Sequence, residues 1–416
     1  MRTICILTNY ESKLEATMIH RGTFSRRSLL QLGAASLLPG ALPALAQQRG
    51  DTFKIGSARA MTGLVASSFA PLYVGLKIAI DEVNAAGGIM GRQVELIEAD
   101  DESSPAKEPA VVRKLLDGGA MVIVGPVGSS HALSAVATTG PAKVIHASGG
   151  FTEELADGAK YPYHYQFTYN AGQQGELVAR FALDTLKLKK VGVLHEMTGF
   201  GESATASTVR NLKKRGVEPV AVEAYPLNAT DMKVYVNKLR SAGAEVVVLW
   251  NAAAQGMVLT AAALQSMKWY PPLLGGNGMY SNTVQTSADP EVLKNAYATL
   301  LRTMTYSATE PPAPRQVAYV KKVLTYPEAK TWEINAAISP FYDFVHLLKR
   351  TVDAERKYDS ESVKKAFDAT RNYAGMIGPI SFTPENHCAV DVDALVMVKV
   401  ASGKDAQSLG VFRERV

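Results

Sequence analysis

The chain has 416 residues, 44 Lys/Arg against 39 Asp/Glu, a formal charge of +5, 47% hydrophobic residues and two cysteines. Two cysteines exclude a disulfide framework and a cysteine-built metal site, and so mild a positive charge gives little electrostatic case for nucleic-acid binding. The length is more than one compact core accommodates and points to two domains.

The first element in chain order is an address rather than a piece of fold. Ser25-Arg26-Arg27-Ser28-Leu29-Leu30 supplies a twin-arginine positive region, Leu29 to Leu38 a weakly apolar core, and Ala44-Leu45-Ala46 a small-x-small cleavage site. The apolar stretch is about ten residues long, where a membrane-spanning helix needs roughly 20. Residues 1–46 therefore read as a cleaved signal peptide, either twin-arginine or general secretory, with an uncleaved anchor as the alternative. No cysteine follows the apolar core, which argues against a lipid anchor, and Glu11 and Glu15 near the start leave Met1 and Met18 as alternative starts. The segment carries five Lys/Arg and two Glu, so the 370 residues after Ala46 hold a net charge of +2. A soluble periplasmic product is expected.

From Phe53 onward short apolar runs alternate with amphipathic stretches. Phe53–Gly56, Val94–Ile97, Met121–Val124 and Val144–Ala147 read as strands. Between them, helices are expected over Leu72–Val83 (stopped by Gly87-Gly88), from Pro105 to about Leu116, and from about Ser130. A second series has strands at Val191–His195, Val220–Ala224, Glu245–Trp250 and Leu273-Leu274. Its helices lie near 175–186, 202–215, 230–241 and 252–267. Strands of four to six residues separated by helices imply two α/β lobes with parallel sheets. The aromatic segment Tyr161–Tyr169 reads as the first crossover between them.

In open parallel sheets, ligands bind beyond the carboxyl ends of the strands. The loop Gly125-Pro126-Val127-Gly128-Ser129-Ser130 stands at such an end. Glycine allows close backbone approach, and a helix start with two serines favours an anion; an ordinary helix-capping serine is the alternative. Ser148-Gly149-Gly150-Phe151 follows the next strand. No Gly-Lys-Ser/Thr ending, dinucleotide fingerprint, nucleophile elbow or His-Glu-x-x-His is present, so no cofactor and no enzymatic activity are expected. His195-Glu196 ends a strand, which directs the two side chains to opposite faces, and reads as no catalytic pair. His131, His146 and His164 read as packed or surface histidines, and Asp100-Asp101-Glu102 as a solvated acidic turn.

Several segments, in this order, resemble the leucine/branched-chain amino-acid family of periplasmic solute-binding proteins, the extracytoplasmic components of ABC importers. They are Lys54-Ile55-Gly56 with Met61-Thr62-Gly63, Ile80 to Ile89 with its Asn84-Ala85-Ala86-Gly87-Gly88 end, Asp100-Asp101 with Pro105, Val124-Gly125-Pro126 with Ser129-Ser130, Phe200-Gly201-Glu202, and Gly378-Pro379-Ile380 with Phe382. The resemblance implies two doubly wound, Rossmann-like lobes joined by a three-crossover hinge, the type I periplasmic binding protein fold. Residues 47–168 and 301–380 would form the first lobe, 169–300 and 381–416 the second. The crossings would lie near Phe167–Asn170, Leu300–Thr303 and Gly378–Phe382. A small-molecule ligand, ABC permease subunits as partners, no nucleic acid and a monomeric state are implied.

On that resemblance Ser129 would hold a ligand carboxylate, joined by Ser130 and by a group within Ser148, Gly149, Gly150 and Phe151; Ser68 and Phe69 would add contacts. Three departures matter. Asn277 stands where the family places the glutamate that neutralises a ligand ammonium. Ala253 stands near a closing tyrosine, and Phe200 in place of another tyrosine. An uncompensated ammonium in a closed cleft is costly. These departures favour an aromatic or other bulky apolar carboxylate, with Trp250, Phe200, Phe151 and Phe69 as aromatic walls. A branched-chain amino acid is the alternative. A periplasmic partner of a membrane receptor would share the fold.

Overall fold

The computed structural model describes residues 52–329, 338–403 and 407–416. The expected signal segment, with Arg26, Arg27 and Ala46, lies outside the described residues.

Two sheets organise the chain. The first contains β1 (Phe53–Arg59), β2 (Val94–Asp100), β3 (Val122–Val127), β4 (His146–Gly149) and β5 (His164–Tyr165), in the order β2-β1-β3-β4-β5 with every pair parallel. Helices α1 (Ala66–Phe69), α2 (Val74–Ala85), α3 (Glu108–Asp117) and α4 (Ser129–Thr139) make its connections. Every residue of β3 is buried, as a central strand covered on both faces requires.

The second sheet takes β6 (Val191–Glu196), β7 (Ala221–Tyr225), β8 (Val246–Trp250), β9 (Leu273–Gly275) and β10 (Ala296–Leu301). Further along the chain come the two-residue strands β11 (Thr305–Tyr306), β12 (Tyr373–Ala374) and β13 (Pro379–Ile380), then β14 (Leu395–Lys399). The sheet order is β14-β10-β9-β8-β6-β7, with β14 antiparallel to β10 and the other pairs parallel. Helices α5 (Ala171–Arg180), α6 (Gly199–Lys213), α7 (Lys233–Ser241) and α8 (Ala254–Ser266) flank it. The fold is the expected one of two α/β lobes.

Between the sheets the chain passes first through residues 166–170. Asn170 then opens α5 with a reciprocal cap: it accepts the Gln173 N–H and donates its own N–H to the Gln173 side chain. The α5–α6 pair packs closely because Gly175 lacks a side chain; a Cβ there would stand 2.7 Å from Ser207. After β10 the chain returns to the first lobe. The Phe341–Glu355 helix lies on α2, with the Tyr342 hydroxyl donating to Glu82 at 2.7 Å. Residues 381–390 stay beside β5, where His387 stacks on Tyr165 at 4.1 Å and Cys388 bridges Gln166.

The sequence reading places the strands of both series within a few residues and differs in three places. Pro105 opens a single 3₁₀ turn, and α3 begins only at Glu108. The segment read as a pure crossover contains β5, which pairs with β4. Leu300 and Leu301, read as a crossing, still pair with Val396 and Leu395.

In each sheet one strand has the next two strands of the chain on opposite sides: β1 between β2 and β3, and β6 between β7 and β8. The loops after β1 and β3, and after β6 and β8, therefore diverge and leave a crevice at the carboxyl ends.

Candidate functional site

The first-lobe wall is built around the β3–α4 turn. Gly128 carries φ +103°, a left-handed conformation suited to glycine, and lets α4 begin at once with Ser129. Ser129 Oγ accepts the backbone N–H groups of Phe151 and Thr152 at 3.0 and 2.9 Å. Its own O–H stays available to donate, beside a helix start whose first N–H groups lack intrahelical partners. Ser130 Oγ accepts the Gly199 N–H of the second lobe at 3.0 Å and so ties the lobes together. A second tie runs from the Glu153 N–H to Ser203 Oγ at 3.1 Å.

The second-lobe wall contains a group the sequence reading passed over. Glu196 ends β6, is 1% exposed and lines the cleft. Its carboxylate accepts the Thr198 hydroxyl at 2.8 Å and the Ala252 N–H at 3.0 Å, each on a different oxygen. Burial pushes its pKa up to about 7, against the pull of those two hydrogen bonds. The buried Tyr225 phenol is held well above its usual range, first by burial and then by the Glu196 charge.

Between these walls lies a cavity of about 230 Å³, smaller than the roughly 300–1,000 Å³ of sites for drug-sized ligands. Leu64, Val65, Phe69 and Leu227 give it apolar faces; Ser129, Ser130 and Glu196 are among its polar groups. No Lys or Arg lines it among the described residues. His131 does line it, with Nε2 lacking a hydrogen-bond partner and its pKa lowered by burial, so the ring is neutral. A deeper recess between Phe69, Phe151 and Phe200, reaching Ser68 and Asn277, holds only about 20 Å³. That is room for one water at most.

The expected site residues therefore divide. Ser129, Ser130, Phe69 and Phe200 meet at the main cavity, with Ala253. Ser68, Phe151 and Asn277 reach only the recess. Ser148, Gly149 and Gly150 line neither. The Ser148 hydroxyl is engaged with His164 Nε2 at 2.7 Å, a Cβ on Gly149 would stand 2.8 Å from Val127, and the Gly150 carbonyl accepts from Gln166. Trp250 is fully buried, donates its indole N–H to Thr208 Oγ1 at 3.1 Å and stands edge-on behind Phe200. It supports the wall and does not form it. The inference from a neutral Asn277 to a site without a carboxylate does not hold, because Glu196 arrives from a different loop. Asp101, expected in a solvated turn, is fully buried beside Glu108. Among the described residues no cluster of three or more His, Cys, Asp or Glu is arranged to hold a metal, and no helix is long and apolar enough to cross a membrane.

The chain resembles known proteins along most of its length. An amino acid binding protein of Pseudomonas aeruginosa is 31% identical over 223 residues, covering 53% of this chain and 58% of its own. Leu/Ile/Val-binding protein homolog 3 of Brucella melitensis is 28% identical over 336 residues, covering 79% and 86%. Among solved structures, a branched-chain amino acid transporter substrate binding protein of Streptococcus pneumoniae, in complex with isoleucine, superposes with a TM-score of 0.71 at 22% identity, covering 84% of this chain and 96% of that one. A solute binding protein of an ABC transporter from Rhodopseudomonas palustris, in complex with 3,4-dihydroxybenzoic acid, does so with a TM-score of 0.70 at 20% identity, covering 84% and 93%. At such identities the two structures establish the fold alone. The periplasmic binding protein family model matches residues 52–405, and the chain belongs to that family of non-catalytic solute-binding proteins.

Proposed function

We propose that this protein is the periplasmic substrate-binding component of an ABC importer that captures a small apolar α-amino acid of the leucine, isoleucine and valine class. Delivery through the N-terminal signal and hand-over to membrane permease subunits belong to the same reading. The observation that carries it is the small cavity lined by both lobes. The Ser129 hydroxyl and the start of α4 offer a carboxylate a donor at one end, and Leu64, Val65, Phe69 and Leu227 offer an aliphatic chain apolar surface. Burying that chain contributes roughly 25 cal/mol per Å². The names of the relatives at 25–31% identity point the same way.

An aromatic carboxylate is the second reading, favoured by the Phe69 and Phe200 rings beside Ser129. A thermal-shift panel separates the two, since a ligand that binds only the folded state raises the melting temperature by mass action. Leucine, isoleucine and valine are expected to give the largest shifts. Larger shifts with 4-hydroxybenzoate or 3,4-dihydroxybenzoate, and none with leucine, would overturn the amino-acid reading in favour of the second.

A further inference from the structure

Glu196 is a buried carboxylate on the wall of a cavity that has no Lys or Arg on its lining among the described residues. A carboxylate offers about four acceptor positions; Thr198 and Ala252 take one on each oxygen, and the other two have no protein partner. The groups packed around it bring no positive charge. From β7 comes the un-ionised Tyr225 phenol, and from the turn before α6 the Thr198 hydroxyl. The β8–α8 turn contributes the Ala252 N–H, and across the cavity stands the neutral His131. His195 points its Nδ1 at the Glu196 backbone carbonyl, not at the carboxylate. Asn277, with its Oδ1 unpartnered, lies in the recess, which is too small for a ligand head group.

We propose that Glu196, from the end of β6, is the specificity-determining counter-charge for the ligand's ammonium group. The inference rests on the amino-acid reading and names the residue that enforces it. An amino acid would lie with its carboxylate toward Ser129 and its ammonium on the two remaining acceptor positions of Glu196, so that a ligand of zero net charge adds nothing to the single negative charge Glu196 already brings. A carboxylic acid without the amino group would bring a second anion into the same closed space.

Calorimetry on the mature protein tests this with leucine and 4-methylpentanoate, which differ by the amino group, on the native protein and on Glu196→Gln. The native protein is expected to prefer leucine by at least tenfold, and the variant to lose most of that preference. Because ionised Glu196 is the binding form, leucine affinity of the native protein should fall about thirtyfold from pH 8 to pH 5.5, following a carboxyl titrating near 7. The variant should show no such fall. The pH profile of the native protein keeps the test decisive if the variant fails to fold. Leucine binding unchanged in Glu196→Gln, or independent of pH in the native protein, overturns the role of Glu196 and leaves the amino-acid reading standing. No leucine binding at all, with an aromatic acid bound more tightly by the variant, overturns the amino-acid reading itself.

Discussion

Two buried glutamates, one in each lobe, show how the same side chain serves different ends. Glu108 opens α3 in the first lobe, is fully buried and is pushed up to about 10 by burial and then by the neighbouring Asp101 charge. It stands beside a second carboxyl group, and it lines no part of the cleft cavity. Glu196 is as deeply buried, yet it has no carboxyl partner, takes two hydrogen bonds from neutral donors and faces the cavity. Burial alone makes neither of them a site. What distinguishes Glu196 is that it lines the cleft cavity while two of its acceptor positions have no protein partner.

The first way to sharpen the comparison is on the wall opposite Glu196. Ser129→Ala removes an acceptor from two buried N–H groups, those of Phe151 and Thr152, as well as the hydroxyl facing the cavity. Each orphaned donor costs about 1–3 kcal/mol, so chemical denaturation of the ligand-free variant should show a loss of roughly 2–6 kcal/mol, alongside weaker ligand binding. Loss of binding with unchanged stability would show that Ser129 does not hold the β4 loop.

The second prediction separates the two glutamates by pH. Both folded-state values lie above the unfolded value near 4.5, so each contributes stability that is complete below that value and lost as the pH rises. For Glu196 the loss ends near pH 7 and amounts to about 3 kcal/mol at roughly 1.4 kcal/mol per unit; for Glu108 it continues toward pH 10. Ligand-free Glu196→Gln should therefore gain stability over the native protein at pH 8 while losing leucine. Glu108→Gln should gain stability and keep leucine. Equal effects of the two substitutions on binding would break the comparison.

A smaller effect is expected at the tie between lobes. Ser130→Ala removes the acceptor for the Gly199 N–H, a bond present when the lobes meet. It should shift the open–closed balance by about 1 kcal/mol, seen as a larger mean radius of gyration in small-angle scattering with subsaturating leucine. An unchanged radius would show that this bond does not bias closure. The smallest effect belongs to Tyr225→Phe, which deletes a buried hydroxyl without a partner. Stability should stay the same or rise slightly, by less than about 1 kcal/mol, in denaturant titration; a marked loss would show an unseen partner such as bound water.

The first-lobe half of this arrangement was legible because its parts are contiguous. The apolar run Val122–Val124, the turn at Gly125 to Gly128 and the serines that follow are one local signal: buried strand, glycine turn, helix start. The second-lobe half was not legible because its parts come together only in space. Glu196 and Ala252 are 56 residues apart, and nothing near either announces the bond between them. The side chain of Trp250 was read as a ligand platform from its type alone. Its register in β8 points the indole at Thr208 instead. For β10 and β14 the pairing joins Ala298 to Val398, an antiparallel contact that no local pattern in either segment encodes. The Glu108–Asp101 pair was hidden for the opposite reason: a run of acids before a proline has the composition of a solvated turn, and only the packing of α3 and α4 over it takes it out of water.

The most direct test of the central claim is a crystal structure of the mature protein grown with leucine. The account predicts leucine in the cavity between the lobes, its ammonium within about 3 Å of the Glu196 carboxylate and its carboxylate at the Ser129 hydroxyl, as charge-assisted hydrogen bonds require. Leucine with its ammonium on Asn277 and Glu196 untouched, or a cavity that stays empty at saturating leucine, would contradict it.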